Sequence, residues 1–546
     1  MQSRSLWAKF TAAALVLMLS ACGGEPPVAA SRGVVTSASP EATAAGVEIL
    51  RQGGNAVDAA VAVQFALGVT EPAMSGLGGQ TQVMIRVPGK EPVMINGTSY
   101  APSGIPAGKL PDGALKTGWT AMTVPSTVRV MDFAQRTFGS GKVSWAKALQ
   151  PAINDAEDGF KVGRFRALVY ARHEEDLRQS ATAAPIFLPG GVLPKEGDVV
   201  RQPVLATTLK RLAEAGADDF YTGEIAQQIA ADMKTYGGWI TAEDLASTPQ
   251  PEVVPALHTT YRGYDVYTLG PPAGGWVMLV ALNLLEQVSP DKLNAEGVER
   301  AQALLEALDL AHRSRDENSA VSAEAFAADL AARIKKGAPP PSTPAPHYGG
   351  ETTHFSIVDA NGMAVSVTTS IDSYFGSRAV SPTLGFLYNN YMQSLDEEPG
   401  HPFSVRPRAA PYSSMSATIV MKEGEPVLVL GSPGSARIIS AVTQVTSHWV
   451  DVGAGVQAAV AAPRVHVVPD DDGRDNAYVE VMPEGLDVEA MGFDLVEPKG
   501  DLKIDGLNAY FGGVHAIGLD HGVWVGAADP RRDGAVGYVD PPTEEH

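Results

Sequence analysis

The chain has one cysteine, Cys22, among 546 residues. A lone thiol forms no internal disulfide, so stability must come from the apolar core, which a chain this long can supply. Metal signatures are lacking too. The 11 histidines include neither HExxH nor paired spacing with cysteines, so no metal site and no cofactor is expected. Positive charge is scarce: 41 Lys and Arg stand against 62 Asp and Glu, for a formal net charge of −21. That balance repels phosphate backbones and anionic lipid surfaces, which argues against a nucleic-acid partner. With 45% hydrophobic and 19% charged residues, the composition excludes a disordered chain or a coiled coil and fits a large globular enzyme or binding protein.

Near the start, Arg4 and Lys9 precede an apolar run over residues 10–18 and then small residues before Cys22. This is the pattern of an export signal, too short to span a bilayer comfortably. "LSAC", residues 19–22, resembles a bacterial lipobox, in which the cysteine becomes the lipidated first residue. The expectation is therefore a signal peptide over 1–21 and a lipid anchor at Cys22. An exported lipoprotein facing the periplasm would then touch the membrane only through that anchor.

A polar, small-residue tether is expected over 22–39, followed by structured chain from residue 40. Apolar periodicity predicts helices near 42–50 and 56–67, with Asn55 capping the second, and further helices over 144–156, 205–215, 224–235, 276–286 and 298–314. The helix at 56–67 has almost no polar face and should be buried. "SGLGG", residues 75–79, lacks the spacing and the preceding strand of a dinucleotide fingerprint. The Pro- and Gly-rich run over 335–350 cannot propagate helix or central strand and is expected to form, with Glu351, a mobile tail. Beyond it the character changes. "HFSIVD", "MAVSVTTSI", "SATIVM", "PVLVLG", "AYVEVM" and "GVWVGAAD" are short apolar or alternating runs that predict strands. Few strands are expected before residue 335. Helix-rich and strand-rich parts together suggest layered helix and sheet.

At the junction stand Glu351, Thr352, Thr353 and His354. A threonine hydroxyl inside a chain has no adjacent base. At a new amino terminus it has its own α-amine, with a pKa of about 7.7 to 8.0, to take its proton. A cut before Thr352 would create a catalyst, although Thr-Thr also simply opens a β-strand. His354 shares a strand face with Thr352, and a packing role suits it, since the amine already supplies a base. The acidic run "PDDDGRDN", residues 469–476, lacks the spacing of a calcium loop and is expected to be a solvated surface.

The ordered blocks "ILRQGGNAVDAAVAVQFALGVTEPAMSGLGG", "TTHFSIVDANGMAVSVTTSIDSYFG", "LYNNYM", "YSSMSATIV", "LGSPGSARIIS" and "AADPRRDGAVGY" resemble the γ-glutamyltranspeptidase family of amino-terminal-nucleophile hydrolases. The resemblance covers essentially the whole exported chain. It implies an α/β (α+β) fold, a four-layer αββα sandwich. It also implies a precursor that cuts itself between Glu351 and Thr352 into a large subunit, 40–351, and a small subunit, 352–546, which stay together. Thr352 would be the nucleophile in processing and turnover, attacking an amide or peptide substrate and passing its acyl group to water or an acceptor amine. Ser370 stands where the family has a hydroxyl bonded to the nucleophile. Gly434 and Ser435 occupy the oxyanion block, with a serine in place of the second glycine. Ser413 and Ser414 match paired serines that meet the substrate carboxylate, and Tyr391 follows the paired asparagines in the substrate-binding block.

Departures from the family pattern bear on specificity. Thr98 takes the place of an arginine that holds the glutamyl α-carboxylate, and Ser394 that of an acid that holds the α-amine. Asp372 replaces an asparagine and is placed to hold an amine or repel a carboxylate. Arg378 could pair with Asp372 or supply the missing cation, although an arginine in such a loop is more simply a solvated charge. The segment between Met392 and Tyr412 is short for a lid. The leading expectation is hydrolysis or transfer of γ-glutamyl groups from glutathione-like amides. The alternative keeps the machinery with another acyl group, as in cephalosporin or glutaryl acylases. A binding protein without turnover is a third, which the intact Thr352, serine pair and "GSPG" block disfavour.

Overall fold

The computed structural model describes residues 33–106, 110–314, 351–400, 403–470, 474–498 and 502–539. Cys22, the expected signal peptide and the Pro-rich run up to residue 350 lie outside the described residues. Among the described residues no helix is long and apolar enough to cross a membrane.

Thirteen strands build two sheets: β1 (Gly33–Ser37), β2 (Gln80–Arg86), β3 (Val93–Ile95), β4 (Val253–Pro255), β5 (Leu257–Tyr261), β6 (Tyr264–Thr268), β7 (Glu351–Asp359), β8 (Ala364–Asp372), β9 (Thr418–Lys422), β10 (Glu425–Gly431), β11 (His515–Asp520), β12 (Val523–Ala528) and β13 (Ala535–Tyr538). The first sheet has seven strands in the order β13-β1-β7-β8-β2-β3-β4, and the second has six in the order β12-β11-β10-β9-β6-β5. Every pairing within them is antiparallel.

Alternation along each strand decides the layers, because successive side chains point to opposite faces. Val34, Met84 and Val358 of the first sheet meet Ile419, Val429 and Ile517 of the second in one buried cluster. Their strand neighbours Val35, Val83, Ile85, Phe355 and Ile357 turn the other way, onto the helices Pro40–Arg51 and Ala56–Thr70. On the far side, Val420, Leu428, Leu430 and Ala516 pack against the helices Gly275–Glu286, Val298–Arg313 and Arg437–Ser447. The result is the expected αββα sandwich.

Local chemistry sets the helix ends. Ser39 caps the first helix by accepting from the Ala42 amide, with Pro40 at the first helical position. Asn55 and Asp58 form a reciprocal capping box on the second. That second helix is buried on every face but one residue, Gly68, as its missing polar face requires.

Several expectations need correction. The tether does not run to residue 39, because β1 begins at Gly33 and is wholly buried between β13 and β7. Glu351 is not part of a mobile tail: it is the buried first residue of β7. The central part does contain strands. β5 and β6 form a hairpin across Arg262 and Gly263, at φ 50° and 75°, the left-handed pair that matches the twist of a hairpin. In the acidic run, Asp475 is buried and paired with Arg313, while residues 471–473 lie outside the described residues.

One buried ionic network ties the carboxyl-terminal elements together. Asp529 accepts from Arg464 at 2.7 Å and from Arg531 at 3.1 Å, and Arg531 also pairs with Glu480. Burial works to raise the Asp529 pKa, but the two guanidinium groups outweigh it and hold the carboxyl at about 2. Asp529→Ala would leave two buried cations short of an anion, so we expect urea unfolding to show a loss of about 3–5 kcal/mol. A loss under about 1 kcal/mol, the range of exposed pairs, would contradict the network. Because the folded pKa lies below the unfolded value of about 3.9, the stability from Asp529 is full above pH ~4 and is lost as pH falls through about 2.

Candidate active site

Thr352 is the second residue of β7, inside the first sheet, and is 5% exposed. It shares its strand face with Val358, so it points into the space between the sheets. That space is polar at this end. Cross-strand neighbours on β7 and β8 pair His354 with Thr368 and Ser356 with Ser366, and Thr352 reaches Ser370. His354 bonds Thr368 at 2.9 Å and Ser356 at 3.1 Å, and its ring fills the space above Gly431, where a Cβ would collide with it. Burial pushes the His354 pKa well down, so it is neutral. It packs and orders the strands, as expected.

Ser370 is the hub. Its hydroxyl donates to the Glu351 carbonyl at 2.7 Å, accepts the Thr352 hydroxyl at 3.3 Å and accepts the Asp372 amide at 2.7 Å. A register shift in the β7–β8 pairing between Thr369 and Asp372 makes room for this. The Glu351 carbonyl is thus bonded by the same group that accepts the Thr352 hydroxyl. The Tyr391 hydroxyl adjoins Ser370 and Gln80 and lies in the field of Asp372, where burial raises its pKa strongly.

The turn between β10 and the helix Arg437–Ser447 carries Gly434 at φ 121° and Ser435 at φ 55°. Their carbonyls accept from the Arg437 and Ile438 amides, which leaves their own N–H groups outside the helix's bonding. Ser435 does adopt the left-handed backbone usually given to glycine, at a cost on the order of 1–2 kcal/mol. An N–H pair beside a helix start is a suitable host for a developing oxyanion.

Asp372 is buried, accepts Gln393 at 2.9 Å and Ser394 at 3.4 Å, and its pKa is pushed up by burial to about 7. The structure therefore brings Asp372, Ser394 and Tyr391 together beside Ser370. Ser413 and Ser414 lie against the turn after β6, with the Ser413 amide donating to the Pro272 carbonyl and Ser414 packed on Gly274. One expected contact is absent among the described residues. Arg378 does not meet Asp372; it pairs with Asp176 at 2.8 Å, an acid on the outer helices that reaches it first. Thr98 is held by two side chains. It donates to Asn96 and accepts from Gln82 on the wall of a cavity of about 240 Å³ that also holds Arg129.

The sequence reading passed over the groups that hold Glu351. Its carboxylate accepts Arg437 at one oxygen and Arg532 at the other, each at 2.8 Å. Burial disfavours the Arg532 cation, but Glu351 more than offsets this and its pKa goes up. Arg437 also stacks over Tyr510 and donates to its carbonyl. Both arginines stand in blocks that were legible, "GSAR" and "DPRR". Nothing in the sequence says that residues 86 and 181 positions from Glu351 converge on it.

A threonine at the head of a central strand, facing the space between the sheets of an αββα sandwich, defines the class of amino-terminal-nucleophile hydrolases. The match to known sequences narrows this. The profile of the Gamma-glutamyltranspeptidase family covers residues 42–539, and the chain belongs to that family. It is 36% identical to the glutathione hydrolase proenzyme of Escherichia coli over 92% of this chain and 91% of that one. It is 33% identical to the acylase ACY 1 proenzyme of a Pseudomonas species, over 80% and 83%. Among solved structures, the cephalosporin acylase of Bacillus halodurans superposes with a TM-score of 0.79 at 26% identity, covering 95% of this chain and 99% of that one.

Thr352→Ala is expected to yield a chain that stays whole on a denaturing gel. Ser370→Ala removes one hydrogen bond to the scissile carbonyl, of about 0.5–1.5 kcal/mol. Its self-cleavage, followed by gel densitometry, should slow by roughly tenfold. An unchanged rate would remove Ser370 from the machinery.

Proposed function

We propose that the chain is a self-processing amidase that cuts itself between Glu351 and Thr352 and then hydrolyses or transfers γ-glutamyl groups from glutathione-like amides. The observation that carries this reading is Ser370, bonded at once to the Glu351 carbonyl and the Thr352 hydroxyl. In processing, the Thr352 hydroxyl attacks the Glu351 carbonyl, the C–N bond breaks, and the ester formed is opened by water. In turnover, the freed α-amine takes the hydroxyl proton and passes it to the leaving amine, while the acyl group stays on Thr352. Water or an acceptor amine then releases it. The Gly434 and Ser435 amides supply the oxyanion donors. The membrane association foreseen from Cys22 belongs to the same proposal.

A second reading, an acylase acting on another acyl group, is favoured by one observation: Thr98, bonded to Asn96 and Gln82, carries no charge for a substrate carboxylate. Comparison of γ-glutamyl and glutaryl anilides separates the two, since they differ only in the α-amine.

The matured protein should run as two pieces, one beginning at Thr352, and release product from γ-glutamyl anilide. A single band from the wild type would overturn the nucleophile assignment. Asp372 faces Gln393, Ser394 and the Tyr391 hydroxyl and titrates at about 7. Its carboxylate, and hence its hold on an ammonium group, develops as pH rises. The ratio of kcat/KM for γ-glutamyl over glutaryl anilide should therefore climb between pH 6 and pH 8, and be flat in Asp372→Asn. Titration of the Thr352 amine affects both substrates and cancels in the ratio.

A further inference from the structure

We propose that Arg437 and Arg532 become the carboxylate-binding pair of the matured enzyme, holding the distal carboxylate of a five-carbon diacid acyl group in the place Glu351 occupies before cleavage. The inference rests on the proposed amidase reading and deepens it.

Three observations carry it. The first is chain length. In the uncleaved protein the acyl group under attack is Glu351 itself, and its side-chain carboxylate is separated from the attacked carbonyl by Cα, Cβ and Cγ. A glutaryl or γ-glutamyl group has the same three carbons between its reacting carbonyl and its far carboxylate. Glu351 is thus an internal stand-in for such a substrate, with its far end on Arg437 and Arg532.

The second is burial. The Arg437 and Arg532 side chains are 10% and 0% exposed, and desolvated cations need an anion. When Glu351 departs as a new carboxyl terminus, both lose the carboxylate they share and keep only backbone carbonyls, of Tyr510 and Gly512. Glu71 lies close enough to act on Arg532 electrostatically, yet burial pushes its own pKa to about 7. One of its oxygens and the Arg532 Nη1 are buried without a partner. A substrate carboxylate answers the vacancy on both guanidinium groups at once, in the two-armed geometry that Glu351 shows.

The third is an idle donor. The Tyr374 hydroxyl is buried without a hydrogen-bond partner and lies in the field of Glu351, Arg532 and Arg437. It is available to an anion that sits differently from the tethered side chain. The site also resolves the difficulty at Thr98. The cation that a diacid acyl group requires is present, supplied from the small-subunit side of the cut.

The experiment compares γ-glutamyl, glutaryl and pentanoyl anilides on the matured protein and its Arg532→Gln variant. The wild type should prefer glutaryl over pentanoyl anilide by roughly a hundredfold in kcat/KM, as for gaining a buried charge-assisted pair. Arg532→Gln should lower kcat/KM for glutaryl and γ-glutamyl anilides by at least about tenfold, mostly through KM, and leave pentanoyl within about threefold. Equal losses on charged and uncharged substrates would overturn the assignment. Should the variant fail to cleave itself, competitive inhibition of the wild type decides. Glutarate should inhibit at a concentration at least about tenfold below that of pentanoate, and equal potency overturns the subsite. A wild-type protein that turns over every anilide without regard to charge sinks the subsite alone. One that turns over none sinks the amidase reading and the subsite with it.

Discussion

The backbone pairing of β7, the strand that carries Thr352, is the constraint on which the site depends. β7 is paired with β8 from Thr353 onward and with β1 from Phe355 onward, so the chain directly after Thr352 is held whether or not residue 351 remains attached. A nucleophile that must be both an internal residue and, later, a chain terminus needs such support. At the end of a helix or in a loop, a cut would release the new terminus to fray. In the middle of a sheet it stays where Ser370 can reach it.

The polar row between the sheets follows from the same pairing. Period-two alternation puts Thr352, His354 and Ser356 on one face and Thr353, Phe355 and Ile357 on the other. The inward face is polar near the cut and apolar at Val358. His354 joins Thr368 and Ser356, the Ser356 and Ser366 hydroxyls donate to the His515 and Leu430 carbonyls of the second sheet, and burial keeps His354 uncharged. Near Thr352 charge enters through Asp372, Glu351 and the two arginines, and at the other end of the sheets through buried Arg86, which pairs with Glu425. Charged residues at the Thr352 end can orient a dipolar or anionic substrate by its far end.

Much of this was legible in the sequence. The start of the second helix was marked by Asn55, whose side chain does cap, and the strands at 354–359, 363–371 and 426–431 were evident from apolar alternation. The hairpin of β5 and β6 was not, because "HTTYRGYDVYT" alternates threonine and tyrosine with charge and lies among helices; its Arg-Gly turn was the available signal. β1 was hidden by its small, weakly apolar sequence "GVVTS". At the site, Thr352, Ser370 and the turn at Gly434 could be found by residue type and order. Arg437, Arg532 and the true partner of Arg378 could not. Which acid an arginine meets is decided by how distant segments pack, and local pattern carries no trace of it.

The strand order has a consequence for the life of the molecule. With the proposed cut before Thr352, β13, β8 and β7 apart from Glu351 come from beyond it in the first sheet and β1, β2, β3 and β4 from before it, and the second sheet mixes the two parts as well. The two products of cleavage are interleaved, so separation requires loss of both sheets. Before the cut, folding is unimolecular and independent of dilution. Afterwards the same architecture can be regained only by a meeting of two chains, at a rate that falls with concentration. Maturation thus makes assembly a one-way event, and persistence of the mature form becomes a matter of its unfolding rate and not of a refolding equilibrium.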